Sequence, residues 1–118
     1  METTIEFKFK ATSPCTKFFA YSPREQIQKI KEEVLEVEEA LELLLEPSIT
    51  GEEKEKAAFE VLVEMYDVIA CVNTLYEQLK LCYPEYVTEG AKMAAEAYVI
   101  NKNMARGYYA PEEYHGIR

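Results

Sequence analysis

The stretch "FEVLVEMYDVIACV" (Phe59–Val72) is the least polar long run in the chain, yet it carries Glu60, Glu64 and Asp67. Its other positions are apolar or weakly polar. At about 100° per residue, the three acids fall within roughly 60° of one another on one helical face. Leaving a buried carboxylate unpaired costs several kcal/mol, and neighbouring carboxylates also repel. Such a face needs a positive charge beside it, or some of its acids must be protonated.

Outward from this run, the sequence predicts a long second helix over 52–81. "SITGEE" (Ser48–Glu53) supplies the preceding turn, with Thr50 and Glu53 in capping-box spacing. From Ala57 onward the helix is apolar nearly all round, so it must be covered on more than one side. Two further helices of a chain this small do not readily provide that cover, so the reading includes a second subunit.

Helix one is written in "YSPREQIQKIKEEVLEVEEALELLLEP" (Tyr21–Pro47). Ser22 suits the N-cap, Pro23 the first helical position, and Glu25 completes a capping box. Ile27, Ile30, Val34, Val37, Leu41 and Leu44 form an apolar stripe that ends before Pro47. Beside it runs a strip of Lys29, Glu33, Glu36 and Ala40, with Glu33 about 60° from the stripe's centre. Glu32, Glu38, Glu39 and Glu42 project toward water. Helix three is expected from near "YPEYV" (83–87) to Arg106, with Gly107 as its C-terminal cap and a break allowed at Gly90.

The fold class that follows is all-α: an antiparallel bundle of three main helices in one domain over 1–118, its core completed by dimerisation. Residues 1–21 form an N-terminal extension in which "IEFKFK" allows a short strand, and aromatic "TKFFAY" is expected to pack on the body. Residues 110–118 form a tyrosine-rich tail without helical period. No internal repeat or low-complexity linker interrupts the chain.

Acids outnumber Lys plus Arg by 22 to 13, for a net charge of -9. That balance argues against nucleic-acid polymers and anionic membranes as partners. No run of about 18 apolar residues offers a membrane span, and the N-terminus does not read as a signal peptide. Cys15, Cys71 and Cys82 lack CxxC spacing and fit reduced thiols in a cytoplasm.

If helices one and two pack antiparallel, Glu33 and Glu36 face Glu64 and Asp67. Four carboxylates without histidine or thiolate suit a hard cation, with Mg²⁺ favoured and Mn²⁺ a substitute. No EF-hand loop is present, and neither is the Glu-x-x-His of a di-iron bundle. The competing reading pairs these acids with Lys or Arg from another helix or subunit. Lys102 and Arg106, one turn apart with Asn103 beside them, suit phosphate oxygens. Cations near a helix C-terminus are equally favoured by its dipole.

"EVLE" (Glu33, Glu36), a gap of 27 residues and "EMYD" (Glu64, Asp67) resemble the ExxE…ExxD signature of the MazG-like, all-α nucleoside triphosphate pyrophosphohydrolases. "NKNMARGYY" (Asn101–Tyr109) resembles the segment that closes small members of that superfamily. The likeness spans roughly 22–109. It implies a homodimeric or homotetrameric, Mg²⁺-dependent enzyme that splits a nucleotide substrate between its α- and β-phosphates, giving a monophosphate and pyrophosphate. By motif position, Glu33, Glu36, Glu64 and Asp67 would be the catalytic metal ligands, and Lys102, Asn103 and Arg106 would grip phosphate. Glu60 matches no ligand position of the family; because it faces the same way, it is read with Lys29 as standing behind the ligands. Phosphoribosyl-ATP pyrophosphohydrolase shares the implied core and is the alternative enzyme; a non-catalytic acidic helical interaction protein is the alternative class.

Overall fold

Ser22 fixes the start of the first helix by reciprocal hydrogen bonds. Its hydroxyl accepts from the Glu25 amide at 3.1 Å, and the Glu25 carboxylate accepts from the Ser22 amide at 3.1 Å. Such a cap contributes about 1 kcal/mol. In the computed structural model, which describes residues 13–15 and 21–109, α1 runs Pro23–Leu45, α2 Glu52–Cys82 and α3 Glu89–Ala105. Among the described residues there are three helices and no strand. The strand expected in "IEFKFK", the aromatics Phe18 and Phe19, and the tail from 110 lie outside them.

Proline sets two of the helix ends. Glu46, ahead of Pro47, is extended (φ -63°, ψ 119°), as the clash with the proline ring requires, and α1 stops there. Tyr83 precedes Pro84, and α2 ends at Cys82. α2 begins at Glu52, as expected, but Thr50 is not the residue before it. Gly51 occupies the pre-helical position at φ 57° and accepts from the Glu55 amide at 3.1 Å. Glycine takes that left-handed conformation without penalty, so it displaces Thr50 as the cap.

α3 starts later than expected, because "YPEYV" is spent on a turn in which the amides of Tyr86 and Val87 both donate to the Tyr83 carbonyl. Thr88 then caps the helix by accepting from the Ala91 amide at 3.1 Å. Gly90 lies inside its first turn without breaking it. At the far end Gly107 (φ 72°) completes a Schellman motif: Gly107 donates to the Met104 carbonyl and Tyr108 to the Asn103 carbonyl.

The chain divides into two compact units, Met1–Cys82 and Tyr83–Arg118. The first is an antiparallel hairpin of α1 and α2. Gln26, near the start of α1, bonds Cys71 late in α2, while Leu43 near the end of α1 shares a groove with Ala57 early in α2.

The face that α1 turns to α2 is not centred on its apolar stripe. Gln26 and Glu33 are buried, and Ile30, Val37, Ala40 and Leu44 are half-buried. Ile27, Val34 and Leu41 stay 41%, 40% and 38% exposed. The packed face is therefore rotated about 50° from the stripe, at 100° per residue. Glu33, expected at the stripe's edge, lies within the contact. α2 answers with Ala57, Val61, Glu64, Val68, Cys71, Leu75 and Gln78, all half-buried or buried and spaced by three and four. Among the described residues, Cys71 is the one apolar side chain that is fully buried, whereas Gln26, Glu33, Thr74 and Gln78 are buried polar ones. An interface this polar leaves much of the apolar surface of both helices uncovered, including Leu35, Phe59 and Leu62.

Candidate metal centre

Two helical registers meet at the centre of the hairpin. Glu33 lies nearly three turns into α1, and Glu64 and Asp67 share a face of α2 because they stand three residues apart. Antiparallel packing brings one carboxylate oxygen from each of Glu33, Glu64 and Asp67 to within 4.8 Å of the others. Burial grades across the trio: Glu33 is buried, Glu64 half-buried and Asp67 exposed. The cluster thus has a closed floor and an open mouth.

Partners are unevenly distributed. Lys29, one turn before Glu33 on α1, reaches it with an Nζ–Oε1 distance of 3.3 Å. That hydrogen bond raises the Lys29 ammonium above its ordinary value of 10.5, with burial opposing it. Among the described residues, neither Glu64 nor Asp67 pairs with a lysine or arginine. The Glu64 Oε2 atom is buried without a hydrogen-bond partner. A buried oxygen in that condition calls for a donor or a cation.

Glu36, expected as a fourth ligand, lies one turn further along α1 and outside the three-carboxylate cluster. It lines an open groove of about 390 Å³ together with Glu39, Ala40, Leu43, Ala57, Glu60 and Glu64. Glu64 belongs to both groove and cluster. Glu60 and Glu36 therefore stand beside the cluster, joined to it by Glu64. Glu39, expected in open water, is exposed but contributes to the groove wall.

Cys71 lies one turn beyond Asp67 on α2 and is 6% exposed. Burial, with a smaller contribution from Glu33, pushes its thiol above the ordinary value of 9.0. At that burial Cys71 packs as a small side chain within the helix contact.

The phosphate-binding candidates lie on α3, in the second unit. Lys102 and Asn103 are half-buried and Arg106 is exposed. Lys102 Nζ is 5.8 Å from the Tyr98 ring centre, and the Arg106 guanidinium 5.6 Å from that of Tyr108. The Asn103 amide donates to the Tyr109 hydroxyl at 3.5 Å. Compared with protein-family models, with curated proteins and with solved structures, the chain matches none of them.

Sequence reasoning missed the buried polar side chains of the hairpin: Gln26, Thr74 and Gln78 are among the most buried side chains described. Thr74 accepts from the Cys15 amide and donates to the Ala70 carbonyl, both at 2.8 Å. The signal was available in the spacing, since Gln26 lies seven residues before Glu33, and Thr74 seven after Asp67.

Proposed function

We propose that this chain is a Mg²⁺-dependent nucleoside triphosphate pyrophosphohydrolase of the MazG-like kind, cleaving (d)NTPs to a monophosphate and pyrophosphate. One observation carries the reading: Glu33 from the ExxE segment meets Glu64 and Asp67 of the ExxD segment within 4.8 Å, with a buried Glu64 oxygen left unbonded. The donor set fits a hard divalent ion, being all carboxylate, and Mn²⁺ would be tolerated. Bound there, such an ion supplies charge neutralisation for phosphate oxygens and a water of lowered pKa.

The chain's own residues do the rest. Glu33, fixed by burial and by Lys29, anchors the ligand set, while exposed Asp67 faces the side from which substrate arrives. Glu60, which lines the adjoining groove with Glu36, would orient a water at the centre. Lys102, Asn103 and Arg106, on α3, are the residues to which the motif resemblance assigns phosphate binding. This assignment also explains how a chain of charge -9 accepts a polyanion.

The same reading includes a second copy of the chain. Ile27, Val34 and Leu41 form a continuous half-exposed row on α1, and Phe59 and Leu62 are exposed on α2. Pairing such faces between two hairpins makes a four-helix arrangement and covers them. Nucleotide-pool cleaning in a cytoplasm is the corresponding role. Among the described residues no helix is long and apolar enough to cross a membrane.

Pyrophosphate release across a nucleotide panel with Mg²⁺ tests the activity. Turnover of one or more (d)NTPs supports it, activity on phosphoribosyl-ATP alone moves the assignment to that hydrolase, and inactivity throughout removes the enzyme reading.

A further inference from the structure

The ion pair beside the cluster has a role of its own. Glu33 is 9% exposed, and its carboxylate is held by Lys29 at 3.3 Å while it also belongs to the three-acid group. Counting formal charges, Glu33, Glu64 and Asp67 carry three negatives and Lys29 one positive. The ion-free site is therefore left with a net of two negatives, which a single divalent cation balances.

We propose that Lys29 is the site's built-in counter-cation: it holds the buried Glu33 carboxylate in place before any metal arrives, and it weakens the site's hold on the ion that follows. This inference rests on the metal-centre reading above. Two consequences have opposite sign. Without Lys29, the ion-free protein is less stable, because a buried carboxylate loses its partner. The cluster is at the same time more negative, so it binds a divalent ion more tightly. One unit charge within about 6 Å of a divalent ion is worth roughly tenfold in affinity even at the dielectric of water. A lysine serving only to hold α1 together would lower stability and leave ion affinity equal or weaker.

The experiment is a calorimetric titration with Mg²⁺ alone, paired with melting curves, on the wild type, Lys29→Met, Lys29→Arg and the double variant Lys29→Met/Glu33→Gln. Lys29→Met should melt lower without Mg²⁺, show a larger Mg²⁺-induced rise in Tm and bind Mg²⁺ about tenfold more tightly. Lys29→Arg should track the wild type. The double variant should recover ion-free stability and lose the gain in affinity; it also keeps the proposal testable if Lys29→Met alone does not fold. Equal or weaker Mg²⁺ binding in Lys29→Met, beside a wild type that binds, overturns this role and leaves the metal centre standing. A wild type that does not bind Mg²⁺ overturns both.

Discussion

The Gln26 side-chain amide donates to the Cys71 backbone carbonyl at 3.0 Å, and this contact joins the start of α1 to the far half of α2 inside a buried layer. Gln26 is 1% exposed, and its own amide oxygen has no donor. The bond it makes and the orphan it carries work against each other. Replacing Gln26 by methionine, similar in volume and without an orphan acceptor, should change stability by less than about 1 kcal/mol. Gln26→Ala should cost about 2 kcal/mol or more through the space it leaves. Urea denaturation of the two variants checks the order.

Capping and proline chemistry made most helix ends legible from the sequence. Ser22–Glu25, Pro47 and Gly107 act locally, and α1 and the end of α3 fall where they indicate. Thr50 misled because Gly51, equally local, takes the cap through a conformation open mainly to glycine. The long apolar run of α2 and its acid spacing were legible too. The rotation of α1 was not. An apolar stripe is placed by counting side chains, yet the face that packs is chosen by both helices together. Here α2 presents Glu64, Cys71 and Gln78 at that face, so Gln26 and Glu33 turn inward in place of Ile27 and Val34. The same rotation parts Glu36 from the cluster that the ExxE spacing had put it in.

That separation leads to a graded response. Glu36→Gln should reduce Mg²⁺ affinity less than Glu33→Gln or Asp67→Asn, because Glu36 offers no oxygen to the three-carboxylate group. Titration of each variant with Mg²⁺ gives the ranking directly. Equal losses in Glu36→Gln and Asp67→Asn would place Glu36 among the direct ligands.

The thiols should label in the order of their exposure: Cys82 first, then Cys15, and Cys71 only when the hairpin opens. The pH dependence has a definite sign. The folded Cys71 thiol titrates above its ordinary value of 9.0, so its contribution to stability is complete below that pH and is lost as pH rises past it. Lys29, raised above 10.5, contributes in the same direction over a more alkaline window. Melting temperature should therefore fall as pH rises beyond about 9, as melts across an alkaline buffer series would record.

The half-exposed row Ile27, Val34 and Leu41 gives a test of assembly. Val34→Glu changes a residue outside the packed face, so the hairpin should keep its helicity while the oligomer dissociates toward monomer at micromolar concentration. Sedimentation velocity with circular dichroism separates those effects. A monomeric wild type, or a Val34→Glu protein of unchanged mass in solution, would contradict the proposed assembly through this row.

Calorimetric titration of the wild type and Asp67→Asn with Mg²⁺ bears most directly on what Glu33, Glu64 and Asp67 are for. The wild type should bind the ion and melt higher in its presence. Asp67→Asn should fold with equal or greater ion-free stability, through relief of carboxylate repulsion, and lose most of that binding. Indistinguishable Mg²⁺ responses from the two proteins, or none from either, would contradict a divalent-ion centre between α1 and α2.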